Sequence, residues 1–231
     1  EDDLVAQLFP ITVGRAAANI SCGGFTLVEL FRTLGVRPHL MVRPHLRELL
    51  RSDGLLTDPT GSDTLLRGKP GEALVLVNAR LVPSVAAVER VVGLAREGRP
   101  SVVRSGDSIA LAVLAPDAPP ISADARPAEV VEFLSRLPGA SLEADLPLLQ
   151  FPHDVVRYNL TTLVGNLEFR LKQGSYREVA DGVFAADDAK LGQYCVLETH
   201  NGPVLLDRGA SIGPYCFLRG PAYLGPGARV I

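Results

Sequence analysis

From Leu206 onward an aliphatic residue returns every six positions, at Leu206, Ile212, Leu218, Leu224 and Val230. Ala210, Cys216, Ala222 and Ala228 follow the first four of these by four places. In a flat-sided parallel coil each hexapeptide supplies one short strand, the aliphatic residue fills the axis, and only a small side chain fits near the corner. The spacing therefore predicts a left-handed parallel β-helix. The same phase runs back through Leu191, Cys195 and Leu197, until three extra residues within Thr199-His200-Asn201-Gly202-Pro203 break the count. The pattern amounts to about two and a half coils, assigned to residues 181–231, with a separate α/β domain over residues 1–180.

A stacked coil buries its axis only against neighbouring coils, and a terminal coil needs a cap. Arg229-Val230-Ile231 supplies none, so further coils are expected beyond Ile231. Glu1-Asp2-Asp3 lacks an initiator Met, and a first strand is expected ahead of it. A net charge of −3 over 231 residues offers no electrostatic attraction for nucleic acid or an acidic membrane. No apolar run reaches the length of a membrane span, and no basic-then-apolar leader is present, so a cytoplasmic location is expected. Cys22, Cys195 and Cys216 lack metal-type spacing, and the last two fall at the small inward positions of the coil.

The leading segment alternates strand and helix signals. Thr26-Leu27-Val28-Glu29 is a capping box that opens a helix ending at Gly35. Ala73 to Val77 is an unbroken apolar run after Lys69-Pro70-Gly71, which suits a parallel strand covered on both faces. Ser84 caps a helix that stops at Gly98. Ser101-Val102-Val103 and Ile109 to Leu114 flank Gly106-Asp107, a hairpin signal. Pro127 starts another helix, and Asp154 to Lys172 makes a longer one. The pattern predicts an α/β domain with a mostly parallel sheet, whose ligand site lies beyond the carboxyl ends of the strands, at the loop after Val77.

An α/β domain followed by hexapeptide coils is the layout of the sugar-1-phosphate nucleotidyltransferases. In particular it resembles the bifunctional N-acetylglucosamine-1-phosphate uridylyltransferase and glucosamine-1-phosphate acetyltransferase, and is closest to a divergent branch of that type. Leu8-Phe9-Pro10-Ile11-Thr12-Val13-Gly14-Arg15 resembles the family's leading loop, which wraps the nucleotide phosphates. Val75 to Ser84 resembles the strand and turn that read Gly-Asp-X-Pro-Leu in the family, and Asp154 to Leu171, containing Asn159, resembles the segment whose Asn helps hold the metal. The resemblance implies a Rossmann-like domain, a nucleoside triphosphate and a sugar 1-phosphate as substrates, Mg²⁺, acetyl-CoA for the β-helix part, and a homotrimer formed through that β-helix.

Carried over residue by residue, the resemblance makes Arg15 and Arg80 the catalytic candidates. Pro10, Thr12, Gly14, Asn78 and Asn159 become contacts to nucleotide or sugar, and Asp154 the metal ligand. Two departures stand out. Arg80 occupies the place of the family's Mg²⁺-binding Asp, where a guanidinium cannot coordinate a cation but could clamp phosphate directly. Ala16-Ala17-Ala18 stands where a Lys-bearing pair normally follows the phosphate loop.

Each candidate also has a plainer reading. Arg15 would be a solvated loop residue, Asn78 and Arg80 ordinary turn chemistry, and Asp154 a helix cap. The duplicated Val36-Arg37-Pro38-His39-Leu40 and Val42-Arg43-Pro44-His45-Leu46 reads as a loop with a solvated basic face. His200 lies in the insertion that breaks the beat, where a β-helix acyltransferase could place a general base, or where a loop His is simply exposed. Three functions remain open: nucleotidyl transfer, a degenerate nucleotide-sugar-binding or assembly module, and acyl transfer alone.

Overall fold

The computed structural model describes residues 1–54, 65–66, 73–122, 125–136, 140–143 and 145–231. They form two compact units, one of Glu1–Ser21 with Thr26–Val156 and one of Cys22–Phe25 with Arg157–Ile231. No helix among the described residues is long and apolar enough to cross a membrane. The expected Lys69-Pro70-Gly71 turn lies outside the described residues.

The first unit opens with a 3₁₀ turn over Asp3–Leu8 and then α1, Leu27–Thr33. Thr26 and Glu29 make the capping box that begins α1, and Gly35 turns out of it at φ 78°. Helix α2, Arg47–Ser52, follows a 3₁₀ turn at Pro44–Leu46. Strand β1, Leu65–Leu66, precedes β2, Leu74–Val77. Ser84 caps α3, Val85–Glu97, by accepting the Ala87 amide, and Gly98 closes it in the left-handed region. Next come β3, Ser101–Ser105, and β4, Ser108–Leu114, joined through Gly106-Asp107, then β5, Ile121–Ser122, α4, Pro127–Ser135, and β6, Ala140–Glu143.

The main sheet of this unit has the order β2-β4-β3-β6. Here the expectation of a mostly parallel sheet is corrected: β4 runs antiparallel to both β2 and β3, and only β3 and β6 are parallel. The cause is the tight 106–107 turn, which folds β4 back between β2 and β3. Val102, Ala112, Leu114, Ile121 and Leu134 form the core against one face.

Helix α5, Pro152–Gln173, begins in the first unit and passes into the second. The division between the units at Val156 and Arg157 is thus a different place from the start of the hexapeptide pattern near residue 181. After α5 come β7, Arg177–Ala180, β8, Val183–Ala185, β9, Lys190–Leu191, and β10, Val196–Glu198. The remaining strands are β11, Val204–Leu206, β12, Ser211–Ile212, β13, Phe217–Arg219, β14, Ala222–Leu224, and β15, Arg229–Val230.

These strands pair in three parallel ladders, β8-β11-β14, β9-β12-β15 and β10-β13, with β7 added antiparallel at the edge of the first. Val204 pairs with Val183, 21 positions earlier, and with Ala222, 18 positions later. The three-residue difference is the 199–203 insertion. Val183, Ala185, Val204, Leu206, Ala210, Ile212 and Leu224 share one buried cluster, against which Cys195, Cys216, Leu218, Ala222, Ala228 and Val230 pack. Leu191, expected inside, is 40% exposed. It sits on β9, the uncovered edge of its ladder, whereas β8 has β7 beside it. On the other side of β8, β11 and β14, the side chains of Phe184, Leu205 and Tyr223 pack with Leu163, Leu167 and Leu171 of α5.

Candidate functional site

In the first unit the loop after the 3₁₀ turn and the end of β2 are drawn together by two consecutive residues, Glu1 and Asp2. The Glu1 carboxylate accepts the Ala17 amide through Oε1 at 2.9 Å and the Arg43 amide and Nε through Oε2 at 3.1 and 3.0 Å. Arg43 Nη2 then donates to two loop carbonyls, Thr12 at 2.6 Å and Arg15 at 3.0 Å. Asp2 holds the strand end. Its Oδ1 accepts Arg80 Nε at 2.7 Å, and its Oδ2 accepts Arg80 Nη2 at 2.7 Å and Asn78 Nδ2 at 2.8 Å.

Arg80 is fully buried. Besides the fork to Asp2 it donates Nη1 to the Leu149 carbonyl at 2.8 Å and Nη2 to Ser108 Oγ at 3.0 Å. Four of the five guanidinium N–H groups are thereby used inside the protein. A phosphate reaching Arg80 would have to displace Asp2. Burial by itself would raise the Asp2 carboxyl, but the hydrogen bonds from Arg80 and Asn78, with the Arg80 charge, hold it below the ordinary value. Asn78 makes an Asx turn, its Oδ1 accepting the Arg80 amide at 3.0 Å while Nδ2 also reaches the Ile109 carbonyl at 2.9 Å.

The loop itself presents a different surface. Thr12 is buried and Pro10 exposed, while Val13, Gly14 and Arg15 form an exposed tip between the two carbonyls that Arg43 holds. Among the described residues the Gly14 and Arg15 amides and the Arg15 guanidinium have no hydrogen-bond partner, and a Cβ on Gly14 would meet nothing within 4 Å. Directly after the tip, Ala16, Ala17 and Ala18 are buried, and Ala16 packs on Leu46 and Leu50. A Lys in this run would have to displace that packing.

Asp154 is 3% exposed, and its Oδ2 accepts the amides of Gln150 and Phe151, both at 2.9 Å, at the start of α5. A cation on that oxygen would have to compete with these two amides. Among the described residues no group of three or more His, Cys, Asp and Glu is placed to hold a metal ion. Asn159 belongs to the second unit, where its Oδ1 accepts the Gly23 amide at 2.8 Å. His200 is exposed on the 199–203 insertion.

A model of the sugar nucleotidyl transferase family matches residues 1–174. The chain belongs to that family. No curated protein matches it. The matched segment covers both polar clusters of the first unit and the whole of α5.

The second unit of this family member holds a polar arrangement that sequence reasoning missed. The two-residue turn Gly23-Gly24 is clasped by a stripe on α5: Asn159 takes the Gly23 amide, Asn166 Nδ2 donates to the Gly23 carbonyl at 2.9 Å, and Arg170 Nη2 donates to the Gly24 carbonyl at 2.7 Å. Gly23 has φ 62°, and a Cβ there would collide with Thr162 and Asn166, so glycine is required twice over. The Arg170 guanidinium lies 3.8 Å from the Phe25 ring centroid and 4.6 Å from that of Tyr223. Asp207 completes the cluster by accepting the Tyr223 hydroxyl at 2.6 Å.

The duplicated Val-Arg-Pro-His-Leu is also corrected, because its two copies have different fates. Arg37 is exposed, but Arg43 is the bridge between Glu1 and the loop, and Leu46 is buried. Nothing within the repeat separates Arg43 from Arg37, since each stands before Pro-His-Leu.

Proposed function

We propose that the first unit transfers a nucleotidyl group from a nucleoside triphosphate to a sugar 1-phosphate, with the tip Val13-Gly14-Arg15 receiving the phosphates. The observation that supports this is the pair of consecutive amides and the guanidinium on the tip, all without a partner among the described residues. Adjacent free amides beside a cation suit a phosphate oxygen, and such donors need no rearrangement as charge develops. The sugar phosphate oxygen attacks the α-phosphorus, the bond to the β-phosphate oxygen breaks, and pyrophosphate leaves. Arg15 neutralises charge on the departing group. Mg²⁺ brought in with the triphosphate would offset the charge of its phosphates. We read the three parallel ladders as coils of a left-handed hexapeptide β-helix in a cytoplasmic protein, with homotrimer assembly and an acyltransferase activity using acetyl-CoA proposed for it.

Calorimetry with a panel of nucleoside triphosphates and nucleotide sugars tests the tip. Arg15→Ala should weaken the bound nucleotide by roughly tenfold or more, as expected for a charge-assisted contact. Unchanged affinity for every ligand that binds the parent would refute the assignment.

The internal engagement of Arg80 favours a second reading, a nucleotide-sugar-binding module without transfer. In that case no pairing of triphosphate and sugar 1-phosphate releases pyrophosphate, with or without Mg²⁺, although calorimetry still detects binding at the tip. Metal-dependent pyrophosphate release eliminates it.

A further inference from the structure

We infer that Arg43 is a positioning residue that shapes the phosphate-receiving tip, with Glu1 as its anchor; this rests on the phosphate reading of the tip above. One nitrogen, Nη2, holds the carbonyls of Thr12 and Arg15, and so ties together the two ends of the segment that contains Val13 and Gly14. In a trans peptide the carbonyl and the next amide point to opposite sides. Fixing these two carbonyls on the Arg43 side therefore fixes the orientation of the peptides at both ends of the tip. The Val13 amide closes back on the Pro10 carbonyl at 3.2 Å and the Ala17 amide is held by Glu1, while the intervening Gly14, Arg15 and Ala16 amides have no partner among the described residues, the first two of them on the exposed tip.

The geometry calls for a guanidinium in particular. Nε donates to Glu1 while Nη2 reaches both carbonyls, a forked arrangement that a single ammonium cannot reproduce. Glu1 is almost wholly buried, with its side chain 1% exposed against 22% for Arg43, so the pair is an internal strut and not a solvated surface bridge. Arg43 itself does not touch the phosphates. It acts through the loop backbone, and its loss should change substrate affinity more than turnover.

The experiment compares the parent with Arg43→Lys, which keeps the charge, and with Glu1→Gln, which removes the anchor and leaves the tip sequence intact. Amide hydrogen exchange without ligand should speed up at Val13 and Ala17 in both variants, while the β2–β4 amides stay as in the parent. Steady-state pyrophosphate release, or nucleotide calorimetry if the protein only binds, should show the KM or Kd for the triphosphate rising by about tenfold. The kcat, where measurable, should stay within about twofold. The smaller rise is expected for Glu1→Gln. A parent that binds triphosphate, beside an Arg43→Lys variant with unchanged affinity, overturns the Arg43 assignment alone. A parent that binds no triphosphate overturns the phosphate reading and with it any role of Arg43 toward a ligand. Unchanged exchange at Val13 and Ala17 in both variants overturns the claim that Arg43 orders the tip.

Discussion

Replacing Asp2 with Ala strips the counter-charge from a guanidinium that has no exposed surface. In the parent, Asp2 takes two hydrogen bonds from Arg80, each at 2.7 Å, and one from Asn78 at 2.8 Å. After the substitution Arg80 retains only the neutral Leu149 carbonyl and Ser108 hydroxyl. Removing one partner of a buried ion pair costs about 3–5 kcal/mol, which for a chain of this length is on the order of 10 °C in Tm. Arg80→Met should cost less, because the Asp2 side chain left behind is 16% exposed and keeps Asn78. The double variant Asp2→Leu with Arg80→Met should recover part of the loss, since neither charge is then stranded. Urea and thermal unfolding followed by far-UV circular dichroism measure all three. The sign of the pH dependence is also set. Asp2 has a folded value below its unfolded one of about 4, so its stabilisation is present above that value and fades as pH falls through the folded one. The parent should therefore lose stability more steeply than Asp2→Ala below about pH 4. An Asp2→Ala variant within about 1 kcal/mol of the parent at pH 7 would refute the account of Arg80 as a charge dependent on Asp2.

Tyr223→Phe removes the hydroxyl that Asp207 accepts at 2.6 Å and should cost about 1–3 kcal/mol by urea unfolding. Burial first, and then Asp207, push the Tyr223 hydroxyl well above its ordinary value, so the stability tied to it is complete below about pH 10 and lost as pH rises through the folded value. A parent and variant with the same alkaline unfolding midpoint would contradict this. Ala210→Leu places three more carbons at a position with no exposure and should destabilise by about 1–3 kcal/mol; an unchanged Tm would argue against a filled axis there. Burial pushes the Cys22 thiol up to about 11 despite a hydrogen bond with Thr162, so iodoacetamide at pH 8 should modify it more slowly than a free cysteine peptide, as peptide mapping by mass spectrometry would show.

Features that depend on residues a few places apart were legible in the sequence. The Thr26–Glu29 capping box, the Ser84 cap with its Gly98 stop, and the 106–107 turn all stand where local pattern put them. The six-residue beat likewise marked Leu206, Ile212 and Leu224 as buried, and Ala210 as the small residue beside them. Even the antiparallel insertion of β4 was implied by its hairpin turn, although the alternation of strands and helices pointed to a parallel sheet.

The polar pairings are another matter. Arg80 finds Asp2 at a separation of 78 residues, Arg43 finds Glu1 at 42, and the Gly23-Gly24 turn finds Asn159 at 136 and Arg170 at 146. Periodicity reports which side of an element faces apolar neighbours, because burial favours a whole face at once and leaves a regular trace. A buried charge is satisfied by a single partner whose position depends on how the chain closes, and nothing near Arg80 in sequence distinguishes a clamp for phosphate from an internal counter-ion. Only the assembled fold buries the guanidinium and delivers Asp2 to it. The same closure buried the Ala16-Ala17-Ala18 run and left the tip before it exposed, because Leu46 and Leu50, thirty places on in the chain, are brought up to Ala16 only when the chain closes.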